Sequence, residues 1–264
     1  MKKILIIGKN AYLAENIKFD ENEYNVDKIH RPLEVGLDKY ADYDFIINFC
    51  IQPEHFSRLL PENEMIDVKI AKNLSHTKFI FLSSRKVYGS SPILKEYRED
   101  DKLKPFDFYS KNKVNIEQRL REILGNKLLV LRTGNIVGLP PKRNCPTFVS
   151  WLQSELKNND KVIVTVNKEA KKDYITKDYF HYVLQEAVKQ NLSGTYNVGA
   201  GFAYTTEELM KNLVDEQRLM FSPLEKISEQ FILNCDKLHT KIKPLTREEF
   251  LNECNTMKNK LMCV

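Results

Sequence analysis

Short apolar runs recur through the first half of the chain, and amphipathic stretches of helical spacing separate them. The apolar runs lie at residues 3–7, 45–49, 78–82 and 128–131, and a further short strand is predicted at 24–29. The amphipathic stretches lie at 11–17, 62–74 and 108–124. A short run that is apolar throughout is typical of a strand buried on both faces, as in a parallel sheet. Strands that alternate with helices therefore predict parallel crossover units and an α/β fold with a doubly wound parallel sheet.

The pattern changes beyond Pro140 and Pro141. Apolar runs there are short, at 162–166 and 196–198, and helical stretches interrupt them at 148–156, 176–188, 206–213 and 246–257. We therefore predict a first domain over residues 1–140 and a small C-terminal α/β lobe over residues 141–264. We expect a hinge-like interface near residue 140, and whether the lobe interleaves with the first domain stays open.

Composition narrows the classes of function. The net charge of +5 comes from 41 basic and 36 acidic residues spread along the chain, whereas a nucleic-acid binder usually concentrates its basic residues. The 5 cysteines form no CxxC pair, so neither a disulfide framework nor a metal site is expected. No stretch approaches the roughly 20 apolar residues of a membrane helix. We expect a cytoplasmic protein without a nucleic-acid or membrane partner.

The segment after the first apolar run reads GKNAYLA, at residues 8–14. A glycine lets the chain turn sharply, and small residues afterwards let a helix N-terminus approach a pyrophosphate. We therefore place Gly8, Asn10, Ala11, Tyr12 and Leu13 at a dinucleotide site. An ordinary strand, turn and helix with small packing residues is equally compatible with this segment alone.

Tyr109 and Lys113 lie four residues apart near the start of a helical stretch. Residues at this spacing share a helical face, so the Lys113 ammonium can stabilise the deprotonated form of the Tyr109 phenol and make it a usable acid or base. Tyr24 and Lys28 have the same spacing in a predicted strand, where they would stand roughly 13 Å apart. We therefore treat the second pair as accidental.

Ser84 ends an apolar run that precedes Tyr109 by 25 residues. Carboxyl ends of parallel strands are where open α/β sheets bind ligands. Ser84 is therefore expected to join Tyr109 and Lys113 at one site.

Taken together, these segments show that the chain resembles the extended short-chain dehydrogenase/reductases, a family that modifies nucleotide sugars. The resemblance spans most of the chain and rests on six segments in order: the turn at 8–14, SSRKVYG at 83–89, YSKNK at 109–113, LRTGNIVGLP at 131–140, KDYI at 172–175 with Asp178, and GTYNVG at 194–199.

This resemblance implies roles for particular residues. Ser84 would orient and polarise the reacting oxygen, Tyr109 would be the acid/base, and Lys113 would also hold the nicotinamide ribose. Asn135 would contact the nucleotide diphosphate, although a turn-capping role is an equal alternative. The first domain would then bind the dinucleotide and the C-terminal lobe the nucleotide-sugar substrate.

The chain also departs from the family pattern. His30 and Arg31 stand where an acidic residue usually holds the adenosine ribose, and Arg31 could instead pair with a 2′-phosphate, which favours NADP over NAD. Arg85 and Lys86 replace the acidic pair of the family's dehydratases, which argues against dehydration as the reaction. No arginine clearly matches the family's diphosphate clamp, so Lys142 and Arg143 are only candidates.

Three hypotheses follow. The first is an NAD(P)H-dependent reductase of a nucleotide-linked keto sugar, and the second is a nucleotide-sugar epimerase with tightly bound NAD. The third is a sensor or scaffold that binds a dinucleotide without turnover, which an intact Ser84, Tyr109 and Lys113 disfavour. A homodimer formed through residues 108–124, as in relatives, stays open.

Overall fold

The computed structural model of the chain describes residues 1–32, 36–139, 147–222 and 229–262. Contacts divide the chain into two units, each made of several segments. Unit 1 comprises Met1–Gly89, Glu99–Thr133 and Val183–Asn197, and unit 2 comprises Ser90–Arg98, Gly134–Tyr182 and Val198–Val264. The boundary and hinge expected at residue 140 lie outside the described residues.

Strands and α-helices are numbered separately in chain order. The strands are β1 (Lys2–Ile7), β2 (Tyr24–Ile29), β3 (Phe45–Asn48), β4 (Lys78–Ser84), β5 (Lys95–Tyr97), β6 (Leu128–Thr133), β7 (Asn135–Val137), β8 (Val162–Val164), β9 (Lys171–Thr176), β10 (Gly194–Val198), β11 (Ala203–Thr205), β12 (Leu219–Phe221) and β13 (Phe231–Leu233). The α-helices are α1 (Ile66–Ala71), α2 (Phe108–Leu124), α3 (Phe148–Asn158), α4 (Lys177–Lys189), α5 (Thr206–Leu213), α6 (Asp236–His239) and α7 (Arg247–Met262). Within the described ranges, no helix is both long and apolar enough to cross a membrane.

A six-stranded sheet forms the centre of unit 1, in the order β10-β6-β4-β3-β1-β2. The pairs β1/β2, β1/β3, β3/β4 and β4/β6 are all parallel. The strand order reverses direction at β1, as crossover connections on both sides of the first strand require. The predicted α/β class with a parallel sheet is confirmed.

The central strands of this sheet, β1, β3, β4 and β6, are largely buried on both faces. Ile4, Leu5, Ile6 and Ile7 have no exposed surface, although successive side chains of a strand point in opposite directions. The face that carries Leu5 shares one apolar core with α1 and α2. Burial on both faces explains why the strand segments read as unbroken apolar runs.

The helix predicted at residues 11–17 is wrong. This segment forms consecutive turns, and the chain reaches β2 without an α-helix between Ile7 and Tyr24. Asn16 adopts a φ of 65°, a left-handed conformation that a right-handed helix cannot contain. The amphipathic segment is too short for its helical spacing to stabilise a helix against this turn. The stretch at 62–74 is also less helical than predicted, since α1 covers only Ile66–Ala71.

Unit 2 is built on a five-stranded sheet in the order β11-β9-β13-β5, with β7 paired to β9. Asp173 of β9 has no exposed surface and accepts backbone hydrogen bonds from Ala200, Gly201 and Leu233 at 2.7, 3.2 and 3.1 Å. Burial raises the pKa of its carboxyl to about 7, against the effect of the three amides. Asp173 of the KDYI segment therefore links β9 through hydrogen bonds to β13 and to the turn after β10.

Candidate active site

Ser84 is the last residue of β4, at the carboxyl edge of the sheet in unit 1. Its side chain is half-buried, and its Oγ accepts a hydrogen bond from the Lys86 amide at 3.3 Å. This bond begins the 3-10 turn Arg85–Tyr88, which carries the chain away from the sheet. The hydroxyl therefore lies where a parallel sheet presents side chains to a ligand.

Helix α2 places the next two residues. Asp107 caps it by accepting from the Ser110 amide at 2.7 Å, while the Ser110 hydroxyl accepts from the Asp107 amide at 3.2 Å. Such a reciprocal cap fixes where the helix begins. Tyr109 consequently lies in the first turn, and Lys113 lies one turn further on the same face.

Lys113 joins this helix to the end of β4. Its Nζ is buried, donates to the Leu82 carbonyl at 2.8 Å and lies 4.6 Å from the Phe81 ring centroid and 5.7 Å from that of Tyr109. Lys86 Nζ lies 5.8 Å from the same Tyr109 ring. The structure thus brings Tyr109, Lys113 and the Ser84 end of β4 together, with two ammonium groups beside the phenol ring.

One face of the Tyr109 ring is covered by an aromatic residue. The Phe56 ring stacks on it with centroids 5.2 Å apart and planes within 3°. Asn112 holds the segment that carries Phe56: its side chain accepts from the Leu60 amide at 2.9 Å and donates to the Arg58 carbonyl at 2.8 Å. Because Asn112 precedes Lys113 on α2, the helix and the aromatic wall are fixed to each other.

Two further titratable groups are buried near Lys113. The Asp67 carboxylate accepts from the Asn48 amide group at 2.8 Å, and burial raises its pKa although Lys113 opposes this effect. His55 has 2% of its surface exposed, and burial together with the Lys113 charge lowers its pKa to about 4. His55 is therefore neutral at physiological pH and adds no positive charge beside Lys113.

A buried ion pair supports the site from behind. Arg132 of β6 donates to both carboxylate oxygens of Glu117, at 3.2 and 2.7 Å, and the two side chains are 4% and 1% exposed. Ser83, the neighbour of Ser84, donates to Glu117 at 2.5 Å, and Arg132 also donates to the Tyr88 hydroxyl at 3.0 Å. Glu117 lies one turn beyond Lys113, so this pair fixes α2 against β4 and β6.

The first turn lies at the carboxyl ends of β1, β2 and β3. Gly8 adopts a φ of +88°, and a Cβ there would come within 2.8 Å of Cys50 Sγ, so only glycine fits. Asn10 Nδ2 and His30 Nδ1 are 2.6 Å apart, which ties the turn to the end of β2. Ala11, Tyr12 and Leu13 are half-buried, while Arg31 is exposed just beyond β2.

The residues at this edge fit a dinucleotide, with one departure. At one end of this edge, the glycine turn and the exposed Arg31 are available to an adenosine phosphate. At the other end, Lys113 uses one of its three N–H donors to bind the Leu82 carbonyl, which leaves two for the cofactor. The departure is the missing helix. Gly8 and Lys9 both donate their amides to the Ile29 carbonyl, and Ala11 donates to Gly8, so these amides serve the turn itself.

Asn135 belongs to unit 2, where it is half-buried at the start of β7 and pairs with Tyr174 of β9. Its contact with substrate stays a prediction. Lys142 and Arg143, the candidates for a diphosphate clamp, lie outside the described residues.

Sequence reasoning missed several residues that shape this site. Phe56, His55 and Asp67 carry no motif, and only the folded chain places them beside Tyr109 and Lys113. Glu117 had a usable signal, because it follows Lys113 by four residues on a predicted helix and therefore shares its face.

Comparison with known proteins identifies the family. The family described as RmlD substrate binding domain matches residues 65–254, which include β4, α2 and most of unit 2. The chain belongs to the RmlD substrate binding domain family. This match begins after the first turn at residues 8–14, so that turn lies outside it. No curated protein sequence matches this RmlD-family chain significantly.

Solved structures show the same fold. The dTDP-4-dehydrorhamnose reductase of Yersinia enterocolitica is 16% identical, with a TM-score of 0.73 over 97% of this chain and 100% of that one. RMD of Pseudomonas aeruginosa, complexed with NADPH, is 16% identical, with a TM-score of 0.75 over 98% and 100%. The UDP-N-acetylglucosamine 4-epimerase of Methanobrevibacter ruminantium is 18% identical, with a TM-score of 0.77 over 98% of each chain.

These findings confirm the predicted resemblance and fold class. The RmlD-family chain has the Rossmann-like fold of the extended short-chain dehydrogenase/reductases. The predicted enzyme class, NAD(P)-dependent oxidoreductases of this type, is the class to which this family belongs. Among the similar structures, the dTDP-glucose 4,6-dehydratase of Bacillus anthracis is in complex with NAD, and RMD of Pseudomonas aeruginosa is complexed with NADPH.

Proposed function

We propose that this chain is an NADP(H)-dependent reductase of a nucleotide-linked keto sugar, with Tyr109 as its acid/base. The observation that carries the proposal is the arrangement at the end of β4, where the buried Lys113 and the partly exposed Lys86 place two cations near the Tyr109 ring. Membership of the RmlD family and structural likeness to a dTDP-4-dehydrorhamnose reductase support it.

The chain's own residues would supply proton transfer and orientation. Ser84 Oγ donates a hydrogen bond to the substrate carbonyl oxygen and polarises it. The Tyr109 phenol gives its proton to that oxygen as a hydride reaches the carbonyl carbon, which converts the ketone into an alcohol and leaves a phenolate. The Lys113 ammonium stabilises the phenolate, and water returns the proton. When bound, the nicotinamide cofactor supplies the hydride.

Arg31 is the residue proposed to select NADP. It is exposed just beyond β2, next to His30, whose Nδ1 lies 2.6 Å from Asn10 Nδ2 of the first turn. A guanidinium there can pair with a 2′-phosphate, and the acidic side chain that would repel this phosphate is replaced by His30.

The missing helix favours net reduction over epimerisation. An epimerase has to retain its cofactor through many turnovers, which calls for extensive contacts with the adenosine and pyrophosphate. Here the helix after β1 is replaced by turns, and the amides of Gly8, Lys9 and Ala11 are bonded to the chain itself. Fewer contacts imply a cofactor that exchanges between turnovers.

The substrate is proposed to be a nucleotide sugar that Asn135 contacts through its diphosphate.

A homodimer formed through α2 is a separate proposal. The exposed positions of α2 after Tyr109 are polar or charged: Lys111, Asn115, Gln118, Arg119, Arg121 and Glu122. Two copies of such a face would have to associate through paired charges, because the face offers no apolar surface to bury.

Cofactor retention and stoichiometry test the proposal together. The purified protein is expected to be free of nucleotide and, given a keto-sugar nucleotide, to oxidise one NADPH for each alcohol formed, as followed by absorbance and mass spectrometry. NAD that survives purification, together with interconversion of two sugar epimers without added cofactor, would establish the epimerase instead. Binding of NADPH without turnover of any keto-sugar nucleotide would support the sensor hypothesis.

A further inference from the structure

A cavity of about 350 Å³ opens at the amino ends of the parallel strands of unit 1. Lys2 begins β1, Lys78 begins β4, and Lys127 immediately precedes β6, and all three line this cavity. Lys78 and Ser84 are the two ends of one strand, so at about 3.3 Å per residue they stand roughly 20 Å apart. The cavity is therefore separate from the candidate active site.

Backbone carbonyls hold two of these lysines in place. Lys78 Nζ donates to the carbonyls of Asn191 and Leu192 at 2.7 and 3.0 Å, and Lys127 Nζ donates to that of Ser75 at 2.7 Å. An ammonium carries three N–H donors, so Lys78 retains one and Lys127 two beyond these bonds. Because these bonds already restrict the two lysine side chains, a ligand that binds them loses less affinity to side-chain ordering.

The third lysine and the remaining polar groups complete the lining. Lys2 Nζ lies 5.7 Å from the ring centroid of Phe45, which also lines the cavity. His76 adds an imidazole, and Asp44 is the carboxylate of the lining. Asp44 already accepts the Lys3 amide at 2.7 Å. The lining therefore carries three ammonium groups against one carboxylate.

The cations act on each other across this space. Burial lowers the pKa of Lys78, and the Lys2 ammonium lowers it further. An anion between these side chains would relieve that repulsion and accept their remaining N–H groups.

We propose that this cavity is a second anion site, which binds a phosphate or diphosphate group. Phosphate oxygens accept several charge-assisted hydrogen bonds at once, and lysine is a common point-charge partner for them. The proposal rests on the cavity and its lysines alone and does not depend on the proposed reductase activity.

Titration of the full-length protein with inorganic diphosphate by isothermal calorimetry tests the site, at low ionic strength and in the presence of saturating NADPH. Three proteins are compared: the wild type, Lys78→Gln/Lys127→Gln, and the control Lys39→Gln/Lys102→Gln. The control removes the same charge from two exposed lysines of unit 1 outside the cavity. We expect saturable binding that is weakened at least tenfold in the first variant and unchanged in the control.

Three results would overturn the proposal. Equal affinity in all three proteins would place the diphosphate elsewhere, and an equal loss in both variants would show a general effect of net charge. An absence of saturable binding to the wild type would likewise reject the site. If circular dichroism shows that the double variant is unfolded, Lys127→Gln alone is used, because Lys127 makes one carbonyl contact from the cavity rim.

Discussion

The Glu117–Arg132 pair allows a quantitative test of how the site is supported. Arg132→Met keeps much of the side-chain volume but removes four hydrogen bonds, two to Glu117, one to the Tyr88 hydroxyl and one to the Glu99 carbonyl. It leaves a carboxylate with 1% of its side chain exposed, whose remaining ion pair is to the half-exposed Arg121 at 3.4 Å. Breaking a buried ion pair in this way costs about 3–5 kcal/mol of the free energy of unfolding.

The double variant Arg132→Met/Glu117→Leu removes this buried carboxylate and should recover part of the loss. Arg121 loses its 3.4 Å ion pair with Glu117 but is half-exposed to water. Replacement of a buried pair by apolar side chains is often neutral, but Ser83 and Tyr88 would each lose a hydrogen-bond partner, at about 1–3 kcal/mol per group left unsatisfied. Ser83 has no other use for its hydroxyl among the bonds described, whereas Tyr88 retains Asn197 at 2.6 Å. We therefore expect the double variant to be more stable than Arg132→Met alone, with a net cost of about 1–3 kcal/mol.

Urea unfolding followed by far-UV circular dichroism measures these differences through the midpoint and slope of each transition. Arg119→Met is the matched control, because Arg119 forms ion pairs with Glu62 and Glu122 while 48% exposed and should cost less than about 1 kcal/mol. If the double variant lost as much stability as the two single variants added together, the residues would not act as a pair and the reasoning would fail.

Three further predictions concern single residues. Gly8→Ala should lower the melting temperature measured by calorimetry, since its positive φ and the contact with Cys50 Sγ both oppose a methyl group, and an unchanged value would contradict the turn geometry. The pKa of His55 is near 6.5 in the unfolded state and about 4 in the folded state, so about 3 kcal/mol of the free energy of unfolding present at neutral pH should be lost as the pH falls from 6.5 to 4. His55→Leu should flatten this part of the profile of stability against pH, measured by urea unfolding. An unaltered slope in His55→Leu would reject the role of His55. Arg31→Ala should weaken NADPH by about 1.5–3 kcal/mol in fluorescence titrations and leave NADH unchanged, and equal losses for both would remove Arg31 from the 2′-phosphate.

Local sequence patterns predicted the central strands of the sheet well because these strands are buried on both faces. Residues 3–7 and 78–82 could be recognised as strands without knowledge of their partners, and the structure places them within β1 and β4. Residues 11–17 had helical spacing as well, yet they form turns, because a short segment gains little from spacing and Asn16 takes a left-handed conformation.

Contacts between residues far apart in the chain could not be predicted from the sequence. Residues 90–98 belong to unit 2 because β5 pairs with β13, more than a hundred residues later, and nothing in either segment indicates this partner. The same holds for Phe56 against Tyr109. The spacing of Tyr109 and Lys113 could be interpreted because one helix carries both, whereas residues from separate elements meet only in the fold.

The comparison of Tyr109→Phe with the wild type tests the proposed reductase most directly. Tyr24→Phe is its control, since Tyr24 has the same spacing to a lysine but lies in β2. With a keto-sugar nucleotide as substrate, Tyr109→Phe should lower kcat by orders of magnitude while the Kd of NADPH stays nearly unchanged, and Tyr24→Phe should turn over normally. If Tyr109→Phe kept more than about a tenth of the wild-type rate, the phenol would account for less than ~1.4 kcal/mol of the barrier, and Tyr109 would not be the acid/base.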